Sequence, residues 1–411
     1  MSSVLEYDVV VIGAGPSGAM AAGLLVQKGY RVLVLEKMTF PRFSIGESLL
    51  PQCMGFLEQA NMLRPVVEAG FQYKNGAAFQ RAERYGAFDF RQKFSEGWGT
   101  TYQVERGTFD KILADQAAAM GAEIRYEHEI TAVDVSGEKP LLTYLDKDKQ
   151  QHQVQCQFVL DGSGFGRVLP RLLDLERPSD FPVRKSIFTH VVDHISDPEF
   201  DRSKILITVH PEHQDIWIWL IPFSNGKCSL GVVGEVEVID AMAGDSAQKL
   251  QTFVSQCTEL QDLLCDAEYP VPVREIVGYS ADVKSLVGNN YALLGNAGEF
   301  LDPVFSSGVT IALKSSTMAA PLVDRQLQGE DVDWESEFCQ PLKKGVETFR
   351  TFVEAWYDGR LQDIIFSTNQ SPEIRAMISS ILAGYAWDEA NPYVKDSKRR
   401  VNVLAEICRQ G

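Results

Sequence analysis

No Cys-x-x-Cys pair occurs among the seven cysteines, at positions 53, 156, 228, 257, 265, 339 and 408, and their number is odd. That excludes a fully paired disulfide framework and offers no zinc spacing, so no metal is expected and a reduced, cytoplasmic setting is. No apolar run reaches the roughly 18 residues that a bilayer-spanning helix needs. There is no basic excess either: the net charge is −17, which argues against long-range attraction to nucleic acid. The chain opens Met1-Ser2-Ser3 and turns quickly to a strand, without the charged and apolar regions of a signal peptide. Ser17 and Ser163 sit in glycine turns, not in a Gly-x-Ser-x-Gly elbow with triad partners. Repeats, low-complexity stretches and a clear linker are lacking. What remains is an ordinary globular composition, 45% hydrophobic and 23% charged over 411 residues, enough for two or three domains.

The strongest local pattern lies at the start. Residues 7–12 form a short apolar run rich in β-branched side chains, which predicts a buried parallel strand. Gly13-Ala-Gly15-Pro-Ser-Gly18 follows, then helical spacing over 19–28 and a second strand over 31–36 that ends on Glu36. Glycines there let the backbone turn tightly and approach a pyrophosphate, and the helix N-terminus adds amide donors. A carboxylate at the end of the second strand accepts from ribose hydroxyls. The unit is of the dinucleotide-binding type.

Further along, 109–121 reads as a helix, and 122–126 and 155–160 as strands with a polar hairpin region between them. Residues 184–235 alternate apolar and polar, as in a mostly antiparallel sheet. A buried strand is expected at 291–294, a helix from about Gly308, and a mainly helical 340–411. The fold class is therefore α/β: a Rossmann-like FAD/NAD(P)-binding domain, an inserted antiparallel β-sheet substrate domain and a C-terminal helical region. The expected boundaries are 1–75, 100–175 and 280–330 for the discontinuous nucleotide-binding domain, 76–99 and 176–279 for the sheet domain, and 331–411 for the helices.

Three later segments separate FAD from NAD. Arg106-Gly-Thr-Phe109-Asp110, Phe158-Val-Leu-Asp161-Gly-Ser-Gly164 and Leu294-Gly295-Asn296-Ala297-Gly298-Glu-Phe-Leu-Asp302-Pro303 resemble segments of the FAD-dependent monooxygenase superfamily that includes p-hydroxybenzoate hydroxylase. The resemblance implies that Arg106 lies beside the flavin and that Asp161, Asn296 and Asp302 belong to the cofactor site with Gly13, Gly15, Gly18, Glu36, Lys37, Arg42 and Ser48. The family usually carries Asp at the position of Asn296; an amide still accepts from and donates to ribityl hydroxyls.

Within that superfamily the chain resembles the flavin-dependent halogenases. Trp217-x-Trp219-x-Ile221-Pro222 matches their WxWxIP signature, Gly70-Phe71-Gln-Tyr-Lys74-Asn-Gly76 the segment of their essential lysine, and Pro41-Arg42-Phe-Ser-Ile45-Gly46-Glu47-Ser48-Leu49-Leu-Pro51 their loop after the second strand. Two tryptophans two residues apart also fit plain core packing, and Lys74 also fits a solvated loop. The resemblance implies instead a rigid partition of Trp217, Trp219, Ile221 and Pro222 between flavin and substrate, and a catalytic Lys74 that directs hypohalous acid onto an electron-rich ring. It further implies FAD delivered reduced by a separate flavin reductase, and a halide ion, chloride or bromide, held by Ser306, Ser307 and Gly308. Phe305 stands where tryptophan halogenases place a glutamate, which points towards a phenol or pyrrole, free or tethered to an acyl carrier protein. The geometric expectation is that both tryptophans lie between flavin and lysine, touching neither substrate nor solvent.

Other features have plainer readings. His190-x3-His194 and His210-x2-His213 are chance pairs, the first too far apart along a strand to chelate. Phe352, Trp356, Tyr357, Phe366, Tyr385 and Trp387 are helix packing or the roof of a substrate pocket. Lys395, Lys398, Arg399 and Arg400 are a solvated face or a landing patch for an acidic carrier protein. The rival functions are a flavin-dependent aromatic monooxygenase or geranylgeranyl-reductase-like oxidoreductase without halide chemistry, and a non-catalytic flavin-binding protein.

Overall fold

The opening apolar run forms the centre of a sheet. In the computed structural model, which describes residues 5–368 and 371–410 (Met1-Ser2-Ser3 lie outside them), Leu5–Ile12 pairs in parallel with Gln151–Asp161 on one side and Val32–Glu36 on the other. Tyr291–Leu293 and Glu123–Tyr126 extend the parallel set outward. A hairpin, Glu129–Asp134 and Leu141–Leu145, adds antiparallel to Gln151–Asp161. Helices Pro16–Val26, Arg106–Ala119 and Ser307–Leu327 cover the sheet. Val9, Val10 and Val11 are wholly buried, as parallel strands covered on both faces require. The three central strands end at Ile12, Glu36 and Asp161, and the turns beyond them open a crevice at the carboxyl edge of the sheet, where α/β folds place their ligands.

A second sheet of seven strands runs in the order Arg274–Val277, Arg184–Val192, Lys227–Glu235, Trp217–Pro222, Lys204–Val209, Gly76–Arg81, Arg84–Asp89. Its pairs are antiparallel except Lys204–Val209 with Gly76–Arg81, which run in parallel. Alternation sorts its two faces. Trp217, Trp219 and Ile221 join a core with Phe79, Phe88, Phe352 and Trp356; Ile218 and Leu220 join another with Leu250 and Phe253. The second core contains three short helices, Val236–Ala241, Ser246–Ser255 and Thr258–Leu263, inside a region expected to be sheet. Asp245 and Gln248 form a reciprocal capping box at the start of the middle helix, a local signal that outweighs the alternation before it. Helices Gln340–Tyr357, Pro372–Leu382 and Ser397–Gln410 pack over the tryptophan-bearing face.

A small third unit matters more than its size. Gln72–Lys74 pairs antiparallel with Thr101–Gln103, and on the other side of that strand Ser48 bridges to Gln103. The loop after the second strand, the strand before Gly76 and the strand before Arg106 thus meet in one ribbon between the two sheets. Among the described residues, no helix is long and apolar enough to cross a membrane.

Candidate active site

The crevice at the end of the first sheet is a cavity of about 610 Å³, a size ordinary for a cofactor site. Its floor is glycine. Gly13 has φ +86°, and a Cβ on Gly18 would stand 1.9 Å from the Gly13 carbonyl oxygen. Glu36 is buried and divides its carboxylate between two amides, Ala14 N–H on one oxygen and Met38 N–H on the other, both at 2.9 Å. Ligand hydroxyls then meet a fixed acceptor.

Two arginines of the wall share one buried carboxylate. Arg42 donates to Asp110 at 2.8 Å, and Arg106 donates to both its oxygens, at 2.7 and 3.0 Å. Arg106 also reaches the Ile45 carbonyl at 2.6 Å, tying the loop at 42–51 to the helix it starts. Asp110 lies one turn along that helix from Arg106, an i,i+4 spacing visible in the sequence although its role was not read there.

Of the expected cofactor residues, Gly13, Gly15, Glu36, Lys37, Arg42, Ser48, Arg106 and Asn296 line the cavity. The Asn296 side-chain oxygen is buried and has no partner among the described residues. With the glycine floor and the fixed Glu36, an acceptor awaiting a donor fits the polyol chain of FAD. Asn296→Leu is expected to weaken FAD binding about 10-fold, one lost hydrogen bond; a fluorescence titration that finds unchanged affinity removes Asn296 from the site.

Gly18, Asp161 and Asp302 stand behind the wall instead. Gly18 holds the helix against the Gly13 turn, and Asp161 accepts from the amides of Ser163 and Leu169. Asp302 accepts from the Val304 amide at 3.0 Å on one oxygen and from the Tyr357 hydroxyl at 2.8 Å on the other. Burial raises its pKa to about 6. Ser306 and Gly308 line the cavity and Ser307 does not. Ser306 adopts a left-handed φ of +56° before helix Ser307–Leu327, whose first amides have no partner within the helix. That is an anion-receptive arrangement.

Trp217, Trp219 and Ile221 form a side of the cavity, while Pro222 does not reach it. Both indoles are almost fully buried, their rings 5.9 Å apart, and each N–H is satisfied: Trp217 donates to Tyr357 and Trp219 to Ser229, both at 3.0 Å. Burial and these hydrogen bonds fix the orientation of both rings. Ser48 both lines the cavity and accepts a hydrogen bond from Lys74.

Lys74 is 1% exposed. Its amine donates to the Ser48 hydroxyl and the Leu49 carbonyl, both at 2.8 Å, and lies 5.4 Å from the Phe90 ring centre. Among the described residues no carboxylate pairs with it. Burial therefore pushes its pKa down to about 7, with the Cys53 thiol opposing weakly. Between pH 7 and 10.5 the unfolded chain holds a proton here that the folded chain lacks, so this group's contribution to stability rises with pH across that window. Below it the folded protein carries the full burial cost. Lys74→Met is expected to be more stable than the wild type at pH 7, by on the order of a few kcal/mol less the two lost hydrogen bonds. The gap should close towards pH 10.5; paired thermal melts at the two pH values check this, and a constant gap contradicts the buried amine.

Glu47 is paired across a long stretch of chain. It is buried, borders the cavity, and meets His190 at 2.9 and 3.0 Å from its two oxygens. No sequence signal joins residues so far apart. His194 turns away to Glu268, and His210 pairs with Gln256; no metal-holding group occurs among the described residues.

Residues 6–270 match the FAD binding domain family. A solved flavoprotein/dehydrogenase from Cytophaga hutchinsonii is 41% identical, covering 99% of both chains with a TM-score of 0.96. A 1H-pyrrole-2-carbonyl-[peptidyl-carrier protein] chlorinase of Pseudomonas fluorescens is 27% identical over 98% of this chain and 94% of its own length. The structure of a flavin-dependent brominase is 25% identical with a TM-score of 0.82, covering 99% of this chain and 100% of that one. The chain belongs to the FAD binding domain family.

Proposed function

We propose that this FAD-binding protein is a flavin-dependent halogenase that places chloride or bromide on an electron-rich ring, a phenol or a pyrrole, and that Lys74 directs the oxidant to the ring carbon. FAD, delivered reduced by a separate reductase, supplies with oxygen and halide the hypohalous acid that the reaction consumes. Gly13, Gly15, Glu36, Lys37, Arg42, Arg106 and Asn296 hold the cofactor in this reading. The amides around Ser306, Ser307 and Gly308 hold the halide. Trp217, Trp219 and Ile221, with Pro222 behind them, exclude the ring from the cavity, so that the halide meets no competitor there.

The observation that carries the proposal is Lys74: a buried amine without a counter-ion, anchored on a residue that borders the flavin cavity. With a pKa near 7, the amine is available in both forms at neutral pH. Its two hydrogen bonds leave one valence free, a lone pair in the neutral form and an N–H in the cation. Either engages hypohalous acid. On transfer the oxygen–halogen bond breaks, the carbon–halogen bond forms, and the ring proton leaves with the hydroxide oxygen as water.

The carrier-protein relative supports a tethered pyrrole as one substrate class. Lys395, Lys398, Arg399 and Arg400 are exposed on a chain of net charge −17, at the start of helix Ser397–Gln410. This cluster is the landing surface an acidic carrier protein would use. The name of the 41% identical relative favours a second reading, a flavin oxidoreductase without halide chemistry. One assay decides: photoreduced FAD, oxygen, bromide, and a panel of phenols and pyrroles, free and carrier-bound, read by mass. Brominated product is expected. Hydroxylated product, or none across the panel, overturns the proposal.

A further inference from the structure

Lys74 reaches its two anchors by crossing a strand. It lies on Gln72–Lys74, and its partners Ser48 and Leu49 lie on the loop segment beyond Thr101–Gln103. Directly opposed residues of an antiparallel pair share a face, as do residues two apart along a strand. Lys74 opposes Thr101, and Ser48 opposes Gln103. The four side chains therefore project from one face of the ribbon, with the lysine spanning the middle strand.

All four are buried: Lys74 1%, Thr101 1%, Gln103 0% and Ser48 3% exposed. Two of their oxygens lack partners among the described residues, the Thr101 hydroxyl and the Gln103 side-chain carbonyl. The Gln103 amide is oriented, because its nitrogen donates to the Arg202 carbonyl at 3.0 Å. A buried oxygen without a donor is costly, and two on one face beside an amine with a free valence form a set with a common need. That need is a small neutral molecule carrying an O–H and lone pairs. The Gln103 carbonyl oxygen repels a bare halide, whereas an O–H satisfies it.

We propose that Thr101 and Gln103 complete, with Lys74, the receiving site for hypohalous acid; this rests on the halogenase reading above. The Gln103 carbonyl accepts its O–H, the Thr101 hydroxyl donates to its oxygen, and Lys74 holds it from the other side, which fixes the direction in which the halogen faces the ring. The step itself is unchanged: oxygen–halogen cleavage, carbon–halogen formation, and departure of water.

The test uses the FAD-loaded enzyme with bromide and an accepted aromatic, comparing wild type with Thr101→Val, Thr101→Ser and Gln103→Leu. Two products are counted against flavin oxidised: brominated aromatic, and free oxidant trapped by an added β-diketone. Thr101→Val and Gln103→Leu should each lower the brominated fraction about 10-fold, the worth of one hydrogen bond to a buried acceptor, with a matching rise in trapped oxidant. Thr101→Ser should restore the wild-type split. Without flavin or substrate, Thr101→Val should melt higher than wild type, because a methyl replaces an unpaired hydroxyl. A wild-type split in both Val and Leu variants, as expected if the face holds only a resident water, overturns the proposal, and so does a lower melting temperature for Thr101→Val. Failure of the halogenase reading looks different: neither brominated aromatic nor trapped oxidant appears in the wild type.

Discussion

Lys74→Ala is expected to lose halogenated product by about 10²–10⁴-fold, the order of magnitude for removing a positioned catalytic group. Flavin oxidation should continue at its wild-type rate. The two effects separate because the substitution is confined to one side of Ser48. The cavity wall, from Gly13 to Gly308, contains no atom of Lys74. The chemistry with oxygen and halide is therefore untouched, and its oxidant escapes unguided. Arginine is not expected to rescue: a guanidinium stays charged at every working pH and brings a planar fork to a site shaped for a single nitrogen between a hydroxyl and a carbonyl. Wild-type product in the alanine variant, with mass and regiochemistry intact, would remove Lys74 from the mechanism. Loss of product together with loss of flavin oxidation would make it a structural residue of the Ser48 loop.

What could be read from the sequence was local. The strand, glycine turn, helix and Glu36 were legible because each depends on a few neighbouring residues and a fixed period. Lys74 was legible as an isolated cation in an apolar, glycine-rich segment. Its partners were not, because Ser48, Thr101 and Lys74 meet only through register between distant strands. Glu47 and His190 are joined by the same long-range geometry, as are Asp302 and Tyr357 from the helical tail. His190 and His194 illustrate the opposite case. Four residues apart on a helix they would share a face; here the strand ends at Val192, His194 takes a φ of +47°, and the two side chains part. The tryptophans are buried, and Ser48 of the loop beside them links the cavity to the lysine by a hydrogen bond.

Gly18→Ala is expected to weaken FAD binding by about 100-fold or more and to lower the melting temperature, since a cost of about 3 kcal/mol follows from overpacking where nothing can rotate away. The added Cβ would meet the Gly13 carbonyl oxygen at 1.9 Å and a Val11 methyl at 3.2 Å. Neither neighbour has room. Gly13 is held at φ +86° and its amide donates to the Leu35 carbonyl at 2.8 Å, so the turn cannot open without leaving the sheet. From the other side Gly162 approaches: a Cβ there would stand 2.8 Å from the Gly18 nitrogen. Three backbone segments thus touch at one point, and that contact sets the distance between the helix start and the cavity floor. A control is available in Gly29, whose φ is +92° but which has open space around it. Gly29→Ala should cost only the strain of a left-handed alanine, about 1 kcal/mol, and leave FAD affinity unchanged. Fluorescence titration and melting of both variants separate the two causes. Equal effects would mean that backbone strain, not close approach, governs the turn. Unchanged affinity in Gly18→Ala would mean that the cofactor is not held where the glycine floor places it.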